Sequence, residues 1–264
     1  MTFRSDKPLK YWHTLRPLRR GQLLHRLLRL AERSTGLHRR CPKPAGQAEL
    51  DPEALARLRI FMACVARSQP QDTAALAALR TGRFTFLGER VHWPNGPLWA
   101  APDRPRLWRY QLHYCDHLRE LATANALELN PDDARLAQAW LRSWIQANPP
   151  GTDVAWDPYV IACRLINWAA AFAVFGPPEA AQANSFAMQA SYLRHHLEWD
   201  VLGNHLLKDA VALAVAEAVL TGRCQNVDLL RACLAEQIRE DGGHYERSLM
   251  YHSQILFDLL LLGA

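Results

Sequence analysis

From Leu107 onward the sequence reads as one helical segment after another. The segments are YQLHYCDHLRELATANAL, PDDARLAQAWLRSWIQAN, PYVIACRLINWAAAFAVF, PEAAQANSFAMQASYLRHHLEW, NHLLKDAVALAVAEAVL, NVDLLRACLAEQIRE and SLMYHSQILFDLLLLGA. Short polar, Gly or Pro breaks separate them, at Asn148–Asp153, Gly176–Pro178 and Thr221–Gln225. Links this short make each helix turn back along its predecessor, so an all-α domain of antiparallel neighbours is expected. A bundle and a helical toroid both satisfy the pattern. The final ILFDLLLLGA carries apolar positions that need a partner and shows no stop signal, so a partial or truncated protein is expected.

The first part of the chain differs. Residues 14–32 place Leu15, Leu18, Leu23, Leu24, Leu27, Leu28 and Leu30 among arginines, which predicts an amphipathic helix with a basic face, broken by Pro42 and Pro44. DPEALARLRIFMACVARSQ predicts a helix capped by Asp51 with Pro52 in its first turn, and QDTAALAALRTG a short one closed by Gly82. RFTFLGERVHW alternates Phe84 and Phe86, turns at Gly88, and alternates again at Val91 and Trp93, as a small β-hairpin does. The expected division is therefore a basic helical segment over 1–50, helices and hairpin over 51–106, and the main helical domain over 107–264.

Nine tryptophans fit either a large helical core or an aromatic-lined groove of the kind sugars stack on. The net charge of +5 comes from one place, because Arg16 to Arg40 holds eight arginines against one Glu. That segment suits an acidic polymer, nucleic acid or an acidic lipid surface, or is simply a solvated helix face. The six cysteines form no CxxC pair, so buried free thiols are expected and neither a zinc site nor another metal site is legible. MTFRSDKPLKYWHTLRPLRRG has no apolar signal core, and no later run reaches membrane-spanning length. Read literally, the chain is expected to be cytoplasmic, or periplasmic if the true start differs.

Three stretches concentrate chemistry. GNHLLKDA sets Asn204 and His205 at the entrance of an apolar helix, where the amide either caps the helix or joins the imidazole in receiving a carboxylate. DGGHYERSLMYH crowds His244, Tyr245, Glu246, Arg247, Tyr251 and His252 behind a double-glycine turn. Arg247 and Tyr251 share a helix face if the helix starts early, and a guanidinium there would favour the phenolate. Alternatively, Tyr251 is an ordinary packing residue. WDPYVIACRLINW brings Tyr159, Arg164, Asn167 and Trp168 to one helix, as a cleft edge or a solvated face.

Together YQLHYCDHL, WDPY…RLINW, GNHLLKDAVAL and EQIREDGGHYERSLMYH resemble the heparinase II/III family of polysaccharide lyases, which includes related alginate lyases. The likeness runs from about Tyr11 to the end. It implies an incomplete (α/α) toroid, followed in the family by a C-terminal β-sandwich absent from this sequence, which there brings a further His and often a structural metal. The implied substrate is an acidic polysaccharide bearing uronic acids, cleaved by β-elimination. A base takes the C5 proton, the carboxylate is neutralised, and an acid protonates the leaving O4. By the same resemblance Asn204 neutralises the carboxylate, His205 is base or co-neutraliser, and Tyr251 is the catalytic tyrosine that donates a proton or both abstracts and donates it. Glu246, Arg247, His244 and His252 would support them or touch sugar, and Tyr159, Arg164 and Asn167 would line the cleft. No cofactor is expected in this chain. A basic YWHTLRPLR start is similar to that of members tied to surface or exopolysaccharide production. The alternative expectation is a non-catalytic protein that binds acidic glycan or assists polysaccharide biosynthesis. Nucleic acid is not the expected partner, because a DNA-binding role leaves Asn204, His205 and Tyr251 unexplained.

Overall fold

Four side-chain caps show how local sequence sets the helix starts. Asp51 accepts the Ala54 N–H at 2.7 Å, Asp72 that of Ala75 at 2.9 Å, Asn130 that of Asp132 at 2.9 Å, and Ser248 that of Tyr251 at 3.4 Å. Each satisfies a donor that the first helical turn leaves open. The computed structural model describes residues 19–37, 40, 46–224 and 227–263. Its elements are α1 (Arg20–Thr35), α2 (Pro52–Ser68), α3 (Thr73–Arg80), β1 (Arg83–Phe86), β2 (Glu89–His92), α4 (Arg106–Tyr114) and α5 (Asp116–Asn125). They continue with α6 (Pro131–Ala147), a 3-10 turn (Val154–Trp156), α7 (Pro158–Phe175), α8 (Ala180–His195), α9 (Gly203–Thr221), α10 (Asp228–Gln237) and α11 (Leu249–Leu262).

The hairpin is antiparallel with Phe84 opposite Val91. Its buried Phe84 and Phe86 rings meet Trp140 and Trp108 at 5.5 and 4.9 Å. Each ring removed from water contributes about 1.5–3 kcal/mol. Trp99, Trp108, Trp140, Trp144, Trp156 and Trp168 are all buried, so most of the tryptophans serve the core. Among the cysteines, Cys115 and Cys233 are buried and free, whereas Cys64 and Cys224 are exposed. Cys41, Leu15, Leu18, Pro42 and Pro44 lie outside the described residues.

YQLHYCDHLRELATANAL is two helices, not one. Cys115 takes a left-handed backbone (φ 61) between α4 and α5. This bend lets Trp108 and Leu112 of α4 and Leu118 and Leu121 of α5 all enter the core.

From α5 onward every second helix is a neighbour. α5, α7, α9 and α11 form an inner row, with α6 and α8 packed outside it and α10 against α9. This alternation is that of an incomplete (α/α) toroid and excludes a simple bundle. α2 also touches α5, α7 and α9, so α7 is enclosed. Contrary to the expectation that no run reaches membrane-spanning length, α7 is long and apolar enough to cross a membrane, yet 83% of it is buried within the protein, so it is a core helix. Antiparallel alternation has one consequence for chemistry. The loops leading from outer to inner helices all gather at one end, together with the N-termini of α7, α9 and α11.

Candidate active site

The chain enters α9 through two residues with positive φ, Leu202 (64°) and Gly203 (60°). A Cβ on Gly203 would lie 2.8 Å from Glu246 Oε1 and 3.1 Å from the Tyr245 hydroxyl. Glycine is thus required both for the turn and for the close approach of the α10–α11 loop. Asn204 follows, and its side chain does not cap α9. Instead its backbone N–H donates to Glu246 Oε1 at 3.0 Å, and its amide Nδ2 donates to both Glu246 oxygens at 2.9 Å. The N-terminus of α9 adds its favourable dipole to this carboxylate cradle.

His205 points the other way. Its Nδ1 lies 3.0 Å from Glu198 Oε2, a carboxylate with most of its surface buried. A carboxylate only accepts, so Nδ1 carries the proton and Nε2 is left free for other work. The ring packs on Tyr159 with centroids 4.3 Å apart. Glu198 is itself held: its backbone N–H donates to Asp209 Oδ2 at 2.9 Å, and Arg29 approaches its side chain to 3.9 Å. Arg29 also pairs with Asp200 at 2.8 Å. Asp209 is fully buried, which holds its carboxyl well above the ordinary carboxylate range, with the Glu198 charge pushing the same way. Burial likewise pushes the Tyr159 phenol up, with smaller contributions from neighbours that include Tyr251.

The double glycine does turn the chain. Gly242 has φ 78, the Gly243 N–H donates to Asp241 Oδ1, and His244 returns to bridge Ile238. His244 is buried, accepts the Glu246 N–H on Nδ1, and so donates from Nε2 to Gln237 Oε1 at 3.0 Å. Gln237 in turn donates to the Gly203 carbonyl at 2.9 Å. His244 is therefore a brace for the α9 entrance, not a sugar contact, and burial lowers its pKa. Tyr251 sits half-buried in the first turn of α11. His252 beside it is half-buried and acts on His244 by charge.

Two further expectations need correction. Arg247 precedes the Ser248 cap, has φ 54 and is exposed, so it shares no helix face with Tyr251. The helix begins too late to bring the guanidinium onto the phenol. Arg164 is fully buried behind the cleft, donating to Gln189 Oε1 at 2.7 Å and the His113 carbonyl at 3.1 Å, and stacked 4.0 Å over Trp144. Burial lowers its pKa to about 9. It ties α4, α7 and α8 together and cannot meet substrate there.

Tyr159 and Asn167 do line a cavity of about 340 Å³, with Tyr114, Asp116, Arg119 and Lys208. Asn167 donates to Asp116 at 2.9 Å and the Tyr114 carbonyl at 2.8 Å, and accepts from Arg119 at 2.9 Å. Lys208 and Asp258, one on α9 and one on α11, form a nearly buried ion pair on the same wall. Reasoning from sequence missed Glu198, Lys208 and Asp258. The first two stand in the quoted PEAAQANSFAMQASYLRHHLEW and GNHLLKDA stretches, where a carboxylate seven residues before a His, or a Lys one turn after it, was the only signal. Among the described residues, no three His, Cys, Asp or Glu are placed to hold a metal ion.

No curated protein matches the chain. Two solved structures share its fold: the heparan sulfate lyase HepC from Pedobacter heparinus and a mutant of that enzyme. Each gives a TM-score of 0.52 at 19% identity, over 80% of this chain and 39% of that one. The chain thus spans well under half the length of those lyases. The Heparinase II/III N-terminus family matches residues 78–262, which include the inner row, the α9 entrance and the α10–α11 turn. On that match, over most of its length, the chain belongs to the heparinase II/III family as its N-terminal part.

Proposed function

We propose that this protein is the toroid part of a polysaccharide lyase that cleaves a uronate-bearing acidic polysaccharide by β-elimination. The observation that carries the proposal is the grip of Asn204 on a carboxylate. Its backbone and side-chain N–H groups hold both Glu246 oxygens at the positive end of α9. A uronate carboxylate seated there would have its charge offset as the C5 proton leaves, which stabilises the enolate-like intermediate. His205, with Nδ1 tied to Glu198, presents Nε2 as a proton acceptor or as a second donor to the carboxylate. Tyr251 supplies the phenol for protonating O4. Tyr159 and Asn167 offer the adjoining wall for sugar. The heparan sulfate lyases that share the fold supply the substrate class by analogy. Surface or exopolysaccharide, including alginate-like polymer, is the substrate the proposal favours.

The test is to incubate the longest natural form of the protein with alginate, heparan-type and exopolysaccharide polymers and follow the ultraviolet absorbance of the unsaturated product. Product that disappears in Tyr251→Phe supports the proposal. No product on any uronate polymer defeats it. A second reading, an acidic-glycan binder without catalysis, draws on Glu246 already filling the carboxylate cradle. Measurable affinity without product would favour it.

A further inference from the structure

Helix α1 is amphipathic, yet it meets the rest of the protein with its polar side. Gln22 donates to the Val201 carbonyl at 3.1 Å, Arg26 to that of Asp200 at 3.3 Å and Arg29 to that of His196 at 3.2 Å. His25 stacks on Trp199 with centroids 6.0 Å apart. No residue of α1 is buried. The apolar side is turned to solvent: Leu24 is 56% exposed, Leu27 65%, Leu28 49% and Leu30 62%. Leu24, Leu27, Leu28 and Ala31 follow the three-and-four spacing of one helix face, and Leu30 extends its edge. A globular protein ordinarily buries such a face against its core.

We propose that α1 is an interfacial anchor whose leucine face inserts into the headgroup region of an anionic lipid bilayer. Charge selects the occupant. Arg20 lies within the apolar arc and is exposed, Arg40 is exposed beyond the far end of the helix, and Glu32 is the sole acid on the helix, whereas Arg33 turns to the protein side toward Asp157. A second copy laid on this face would have to cover the Arg20 charge with leucine, and taking that charge out of water is costly. Anionic headgroups meet Arg20 and Arg40 with attraction while the leucines leave water. A nucleic acid would reward the arginines but not the leucines between them. The helix lies outside residues 78–262, so the anchor is separate from the family-matched part, and vesicle binding is read without any assay of turnover.

The test is flotation of the full chain with vesicles of phosphatidylglycerol and phosphatidylcholine, and with phosphatidylcholine alone. Binding is expected on the anionic vesicles, weakened but not abolished by salt. Leu27→Glu with Leu28→Glu should weaken it at least tenfold, and Arg20→Ala about fivefold. Circular dichroism checks that the variants fold, and Leu24→Ser with Leu27→Ser serves if the Glu pair does not. Three results overturn the proposal: no binding to anionic vesicles, binding unchanged by the leucine variants, or a dimer in light scattering that those variants dissolve while vesicles go unbound.

Discussion

Asn204 holds the Glu246 carboxylate with three N–H contacts between 2.9 and 3.0 Å, across the gap between the α9 entrance and the α10–α11 turn. Glu246 is exposed, so the carboxylate reaches this cradle from the solvent side, as a substrate carboxylate would. An internal carboxylate and a substrate carboxylate then compete for the same donors. Glu246→Ala is expected to tighten binding of a uronate oligosaccharide by about twofold to tenfold, the range set by one displaced hydrogen-bonded group. Calorimetric titration of both proteins reads the change. Weaker binding in the variant would mean that Glu246 positions Asn204 for substrate instead of competing with it.

Glu198 fixes the tautomer of His205, so its removal should damage chemistry more than binding. Glu198→Ala frees the imidazole to rotate and to exchange tautomers, and kcat is expected to fall at least tenfold, about 1.4 kcal/mol of transition-state stabilisation. Glu198→Gln keeps an acceptor for Nδ1–H and should recover part of the loss. Nitrogen chemical shifts of His205 check the tautomer without any assay of turnover. A KM increase with kcat unchanged would remove Glu198 from this role.

How much of this was legible in the sequence follows from the range of the interactions involved. Helix starts at Asp51, Asn130 and Ser248 depend on residues two or three positions away, and spacing displays them. The toroid does not follow from periodicity, because α7 is apolar on every side and its pattern names no partner. Resemblance supplied that step, and packing of alternate helices agrees with it. Arg164 misled because a polar residue between apolar ones reads as cleft or solvent, whereas Gln189 and the His113 carbonyl, far away in sequence, pay its burial. Glu198 and Asp258 were invisible for the same reason. Their partners lie on other helices, and only the fold makes them neighbours.

Asp209 gives the fold a pH signature. Its folded pKa stands well above the unfolded value of 3.8, so folding favours the protonated carboxyl. Stability from this group is fully present below pH 3.8 and is lost as pH rises from there through the raised folded value. Asp209→Asn keeps a carbonyl to accept the Glu198 N–H but never ionises. The variant should therefore melt higher than the parent at neutral pH, with the gap closing as the solution is acidified. Thermal melts by circular dichroism across that range measure it. A gap that ignores pH would show that Asp209 does not titrate between the two states.

Lys208 and Asp258 join α9 to α11 with little of either side chain in water, 11% and 6% exposed. Burial pushes the Asp258 carboxyl up, while the Lys208 ammonium and Arg119 pull against it. Removing one partner leaves the other as an uncompensated charge in a nearly dry site. Lys208→Met is accordingly expected to cost about 3–5 kcal/mol, whereas Lys208→Met with Asp258→Leu should regain most of that loss. Chemical denaturation of the single and double variants closes the cycle. The pair also lines the cavity beside Tyr159, so the two effects must be separated. If the double variant is stable yet loses affinity for acidic sugar, Lys208 meets substrate as well as Asp258. If stability and affinity both return, the pair serves only to hold α11, and with it Tyr251, against the inner row.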